Sequence, residues 1–341
     1  MKINPIQSYN HKSPAFNGFK TPQSTCMVVM DFDRALAHST PESAARISEA
    51  LKNLKAKVVY LTNKSFKTTK ELKDFAESRG LALPTADYLI GSGCDNVFTN
   101  YGNIYLGNSE YKSHVRKNTN YNSSWVNNIL KFLVELGQYN LSAEEIYKLK
   151  SKGILKELSS VDRNFWNAKF SIVDSPDEFR NVVMLSGEMN PKEFGAEIVE
   201  KLKTRGIQSN YKISYFSEKD IANFDKITAI KAKKIMRNSK NGITTVIFSP
   251  VGKAESVRFI RNSAGVAPEE LFIASADGKD IGLSNMTKEG AMFTCLKNAQ
   301  MNLRNYCAEN PQQNLYNATQ SNGEGIVEGM EHFLKHFNVK I

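Results

Sequence analysis

Between residues 25 and 90 the chain repeats one rhythm, in which short apolar runs alternate with amphipathic stretches. The runs are Thr25-Cys26-Met27-Val28-Val29-Met30, Lys57-Val58-Val59-Tyr60-Leu61-Thr62 and Tyr88-Leu89-Ile90. They are too short for helices and rich in β-branched residues, the pattern of strands buried on both faces. Residues 41–54 place Ala44, Ile47, Ala50, Leu51 and Leu54 at the helical period, with Ser39 and Thr40 as candidate caps. Residues 68–78 read as a second helix, and Pro84 precedes the third strand. Strand and helix in alternation predict an α/β fold with a parallel sheet and crossover helices. Such a sheet gathers the carboxyl ends of its strands on one edge, where open α/β sheets take their ligands.

Polar chemistry stands at those ends. The first strand runs into Asp31-Phe32-Asp33, and the second closes on the hydroxyl of Thr62. Carboxylates two residues apart on an extended segment face the same side, and they repel unless a cation or a shared proton holds them. Taken alone, the pair fits a ligand site and a solvated acidic turn equally well.

Composition narrows the partners without choosing one. The chain has 341 residues, which suits two domains of about 100–200 residues each. Lys and Arg number 45 against 35 Asp and Glu, a formal charge of +10. That excess favours nucleic acid, phosphorylated metabolites or an acidic membrane surface. No apolar run approaches the roughly 18–20 residues of a membrane helix. The cysteines Cys26, Cys94, Cys295 and Cys307 form no CxxC pair and read as reduced thiols of a cytoplasmic protein. The histidines His11, His38, His114, His332 and His336 supply no zinc ligand set. Residues 1–24 are polar and turn-rich, have no apolar stretch for a secretory signal, and are expected to form a flexible tail.

Several separated segments, in order, resemble the haloacid dehalogenase superfamily of phosphatases, and within it the sucrose-phosphate phosphatase group. Asp31-Phe32-Asp33 parallels the opening DxDGT pattern. Residues 58–65, Val-Val-Tyr-Leu-Thr-Asn-Lys-Ser, parallel the group's second motif. Pro84 to Gly93, Lys169-Phe170-Ser171 and Ser249-Pro250-Val251-Gly252-Lys253-Ala254 follow. Then come Ser275-Ala276-Asp277-Gly278-Lys279-Asp280, where the family writes GDSxND, Lys297-Asn298-Ala299-Gln300, and residues 325–333. The resemblance implies a Rossmannoid parallel-sheet core, residues 25–111 and 249–341, with an inserted α+β cap domain at residues 112–248.

It also implies an activity: a Mg²⁺-dependent phosphomonoester hydrolase acting on a sugar phosphate through an aspartyl-phosphate. Asp31 would be the nucleophile and Asp33 the general acid and base. Thr62 would bind a phosphoryl oxygen, and Lys253 would neutralise charge. Asp31, Asp33, Asp277 and Asp280 would hold the metal. Asn63, Arg34 and Lys169 would contact the substrate, with Trp166 as a candidate sugar platform or a buried cap aromatic. The cap would cover the site and read the leaving group.

The chain departs from the family pattern in three places. Arg34 and Ala35 replace the Gly and Thr after the DxD, Asn63-Lys64 replaces Gly-Arg, and Ala276 stands where the first Asp of GDSxND belongs, with Asp277 one residue late. A second reading therefore stands beside the first, a degraded site that binds phosphorylated ligands or an anionic partner without turnover. Lys226, Lys231, Lys233, Lys234, Arg237 and Lys240 form a basic cluster without an interleaved aromatic residue or a nucleic-acid motif, which fits a solvated helix face better than a nucleic-acid surface. Neither the oligomeric state nor the identity of the sugar is legible.

Overall fold

The computed structural model describes residues 26–62, 64, 66–91, 96–138, 170–173, 178–185, 190–221, 228–230, 232–233 and 243–334. The chain divides into two compact units, one comprising residues up to Asn108 and from Lys253 onward, the other Ser109–Gly252. Its strands, in chain order, are β1 (Met27–Asp31), β2 (Lys57–Leu61), β3 (Tyr88–Gly91), β4 (Asn96–Tyr101), β5 (Ile104–Gly107), β6 (Phe170–Val173), β7 (Asn181–Leu185), β8 (Asn210–Phe216), β9 (Ile243–Ser249), β10 (Leu271–Ser275), β11 (Met292–Cys295) and β12 (Leu315–Asn317).

The first unit is built on one sheet with the order β12-β11-β10-β1-β2-β3-β4-β5. From β12 through β3 the pairing is parallel, and β4 and β5 close the far edge as an antiparallel hairpin. The α/β expectation holds. Every residue of β1 and β10 is buried, which is why both are continuous apolar runs rather than alternating ones. Met27 pairs with Leu271 on one side and Lys57 on the other. From β1 the chain builds outward through β2 and β3, then returns to the other flank of β1 with β10. The direction of building reverses between β1 and β10, and a crevice opens at their carboxyl ends.

The helices form where their ends are satisfied. Helix α1 (Pro41–Asn53) starts with proline in its first turn and a reciprocal cap between Thr40 and Ser43. Helix α2 (Thr69–Glu77) is capped by Thr68, which accepts from Glu71 N–H. Both lie where the apolar spacing predicts them. Helix α8 (Asn322–Leu334) packs on α1 and on β11. A Cβ at Gly329 would stand 2.2 Å from Thr294 Oγ1, so only glycine lets this helix approach the strand so closely.

The second unit carries an antiparallel sheet of order β6-β7-β9-β8. Its described helices include α3 (Ser109–Thr119), α4 (Ser123–Gln138) and α5 (Pro191–Lys203). Tyr121 Oη donates to Asn181 Oδ1 at 2.6 Å and to the Phe248 carbonyl at 3.2 Å, tying the α3–α4 turn to two strands. Helix α6 (Lys253–Ser263) belongs to the first unit and opens the return to its sheet. Helix α7 (Met301–Glu309) belongs to the same unit. The hairpin β4–β5 and the strands β8, β11 and β12 are additions to the elements read from the sequence. Among the described residues no helix is long and apolar enough to cross a membrane.

Candidate active site

The site lies at the carboxyl ends of β1, β2 and β10, all within the first unit. Asp31, Asp33, Arg34, Leu61, Thr62, Ile90, Lys253 and Asp277 line one small pocket. Residues from five separated stretches of sequence thus meet at one sheet edge. Asp31 ends β1 and is only 3% exposed. Its Oδ1 accepts from Arg34 N–H at 3.1 Å and its Oδ2 from Ala276 N–H at 3.3 Å. Burial pushes its pKa up to about 6, against the opposing pull of Lys253 and of the Arg34 amide.

Thr62 follows β2, and its Oγ1 donates to Asp33 Oδ1 at 3.0 Å while accepting from Lys64 N–H at 3.0 Å. Lys253 opens α6. Its ammonium reaches Asp280 Oδ1 at 2.6 Å and Asp277 Oδ2 at 3.1 Å. Asp280 is fully buried, and burial holds its carboxyl above the ordinary range despite Lys253. Asp277 keeps a lowered pKa: burial raises it, but Lys253, the Lys279 amide and the Lys279 charge together outweigh that.

The loop after β10 is tightly braced. Ser275 Oγ donates to Asp280 Oδ2 at 2.6 Å and accepts from Asp277 N–H at 3.1 Å. Asp277 Oδ1 accepts from Lys279 N–H at 3.0 Å. Gln300 Oε1 accepts from Gly278 N–H at 2.8 Å, and Asn302 Nδ2 donates to the Gly278 carbonyl at 2.7 Å. Asn298 Nδ2 donates to the Arg34 carbonyl at 3.0 Å and to Asn322 Oδ1 at 2.9 Å, linking the turn after β1 to the start of α8. Ser275, Asn298 and Gln300 enter the sequence reading only as members of motifs, with no role assigned, and Asn302 does not enter it. The run of amides after the last buried strand is the one signal that could have pointed to three of them.

Of the residues expected to form the site, Asp31, Asp33, Arg34, Thr62, Lys253 and Asp277 share the pocket, and Asp280 is held beside it through Lys253. Arg34 enters the arrangement through its backbone, which donates to Asp31 and accepts from Asn298. Asn63, Lys169, Trp166, Cys94, His336 and residues 1–24 lie outside the described residues, as does the basic cluster apart from Lys233.

The carboxylates of Asp31, Asp277 and Asp280 do not fit a magnesium site. Mg²⁺ demands near-octahedral oxygen ligands, yet both oxygens of Asp31, of Asp277 and of Asp280 already meet an amide, a hydroxyl or the Lys253 ammonium. Ala276, which has no donor atom in its side chain, is the residue seated against Asp31. Among the described residues no three His, Cys, Asp or Glu side chains stand together as a metal site.

Comparison with known proteins supports the resemblance. Residues 197–334 match the family described as sucrose-6F-phosphate phosphohydrolase. No curated protein matches the chain. The fold is similar to that of the sucrose-phosphatase from Synechocystis, solved with sucrose and phosphate, at 15% identity over 91% of this chain and 98% of that one, with a TM-score of 0.53. A haloacid dehalogenase-like hydrolase protein from Bacillus subtilis matches at 13% identity over 91% of this chain and 92% of its own, with a TM-score of 0.49. The likeness to the sucrose-phosphatase group is therefore borne out in the fold and over residues 197–334 of the sequence.

Proposed function

We propose that the chain is a phosphatase that hydrolyses phosphate monoesters, with a sugar phosphate as substrate. The observation that carries this reading is the pocket that gathers Asp31, Asp33, Thr62 and Lys253 at the carboxyl edge of the sheet. The match of residues 197–334 to a sucrose-phosphate phosphohydrolase family supports the substrate class.

An ionised Asp31 oxygen attacks phosphorus, and the bond to the ester oxygen breaks. Asp33 in its acid form gives its proton to the departing sugar oxygen. The Asp33 carboxylate then takes a proton from water, whose oxygen displaces the phosphoryl group from Asp31 and releases inorganic phosphate. Lys253 offsets negative charge on the transferring group, and Thr62, hydrogen-bonded to Asp33 in the free enzyme, donates to a phosphoryl oxygen. Mg²⁺ belongs to the resemblance, but the carboxylates of Asp31, Asp277 and Asp280 do not fit it.

The same carboxylate contacts favour a second reading, in which the pocket binds the phosphorylated ligand without turning it over. Phosphate release from hexose phosphates and an aryl phosphate, measured with Mg²⁺ and with a chelator, separates the two. The hydrolase reading expects release that Asp31→Asn abolishes. Release undiminished in Asp31→Asn removes Asp31 as nucleophile, and ligand-induced stabilisation without release selects the second reading.

A further inference from the structure

The arrangement around Lys253 points beyond the roles of the single residues. The low-exposure carboxylates of Asp31, Asp277 and Asp280 need compensating positive charge nearby. Here an ammonium supplies it. Lys253 Nζ lies 3.1 Å from Asp277 and 2.6 Å from Asp280, and its charge also acts on Asp31. Its side chain is itself 15% exposed, so the ion pairs are shielded from water. The backbone completes the substitution: Ala276 and Arg34 direct their N–H groups at the two oxygens of Asp31. Lys279, exposed at the rim of the same loop, adds a second positive charge beside Asp277. A cation approaching Asp277 would have to displace an ammonium, compete with an amide and face Lys279. Neither the methyl side chain of Ala276 nor the ammonium of Lys279 can ligate it.

We infer that this site handles its phosphorylated ligand without a divalent metal, with the Lys253 ammonium and the loop amides providing the positive charge a metal would supply. The inference rests on the proposed phosphate pocket for its ligand, but its statement about the metal stands on the carboxylate contacts alone. It also gives the Ala276 departure a consequence: the position that lacks a ligating side chain is the one whose backbone now stabilises Asp31.

Two measurements on the full chain test it, and they fail separately. Calorimetric titration of the purified protein with Mn²⁺ alone should show no saturable binding into the millimolar range. Ala276→Asp, which returns a carboxylate to that position, should tighten Mn²⁺ binding by at least about tenfold. Saturable micromolar Mn²⁺ binding to the wild-type protein that Asp277→Asn removes would overturn the inference. A variant that folds, keeps its circular dichroism spectrum and gains no affinity would also overturn it, since Ala276 would then not be the reason. Should that variant fail to fold, the wild-type titration decides alone. In the second measurement, inorganic phosphate should raise the melting temperature equally in chelator and in Mg²⁺. A shift seen only with Mg²⁺ counts against metal-free binding. No shift in either condition, with no phosphate release, sinks the phosphate-pocket reading while the Mn²⁺ titration still reports on the metal.

Discussion

Ser275 donates its hydroxyl to the carboxylate of Asp280 at 2.6 Å, and both side chains are completely buried. The same hydroxyl accepts Asp277 N–H, so one oxygen sets the height of the whole loop above the strand end. Ser275→Ala leaves a buried carboxylate oxygen without its donor, and such losses cost about 1–3 kcal/mol. Urea denaturation should show a loss of that size, and phosphate release should fall because Lys253 follows Asp280. An unchanged unfolding midpoint would mean that water replaces the hydroxyl.

The raised pKa of Asp31 ties its proposed catalytic role to stability. Its folded value of about 6 lies above its ordinary carboxylate value, so the native state holds this proton more tightly than the unfolded chain does. The stabilising contribution is full below the ordinary carboxylate pKa and is lost as pH rises through about 6. At neutral pH the ionised form costs the fold about 3 kcal/mol, a cost that the proposed nucleophilic role of Asp31 requires. Asp31→Asn should therefore melt higher than the wild-type protein at pH 7.5 and lose that advantage at pH 4. Phosphate release should climb between pH 5 and pH 7 with its midpoint near 6, and a flat profile across that range would detach Asp31 from the chemistry.

How much of this was legible beforehand follows from where each feature stores its information. The parallel core was readable because β1, β2 and β10 are buried on both faces and therefore continuously apolar. Asp31, Asp33 and Thr62 were readable because they end such runs. The hairpin β4–β5 was not, since Asn96–Tyr101 is largely half-exposed and its polar residues hide the alternation. Tyr101, Ile104 and Leu106 are even among the exposed large hydrophobic residues, so the edge carries no simple in-and-out pattern. In the site, the departure at Ala276 was visible in the sequence, but its effect was not. That Asp277 turns to Lys253 and Lys279 depends on side-chain placement within a short loop. The braces from Ser275, Gln300 and Asn302 escaped for the same reason, because a single small polar residue bonding to a loop leaves no periodicity behind.

Lys253 neutralises two low-exposure carboxylates at once, so its removal should be costly. Lys253→Met keeps much of the side-chain volume and deletes the ammonium. Breaking a buried pair by deleting one partner costs about 3–5 kcal/mol. The side chains of Asp277 and Asp280 are 12% and 0% exposed, which places this pair in that class. The variant can relieve the strain by protonating Asp280, whose carboxyl burial already raises. Its stability deficit should accordingly be smaller at pH 5 than at pH 7.5 in matched denaturation curves. A deficit that does not change with pH would mean that lost packing, rather than unpaired charge, explains it.

The loop after β10 also depends on a missing side chain. A Cβ at Gly278 would fall 2.0 Å from Asn302 Oδ1, far inside any real contact. Asn302 must be that close because its amide donates to the Gly278 carbonyl at 2.7 Å. Gly278→Ala therefore forces Asn302 away and gives up that hydrogen bond, a loss of about 0.5–1.5 kcal/mol before any strain is counted. Because Asp277 precedes Gly278 directly and Asp280 follows two residues later, displacement of this turn moves both carboxylates off Lys253. Phosphate release should then drop more than stability does. Asn302→Ala removes the obstacle, so the double variant should recover part of the activity lost by Gly278→Ala even though it lacks the same hydrogen bond. If the double variant instead shows the sum of the two single losses, the clash with Asn302 is not what makes glycine necessary at this turn.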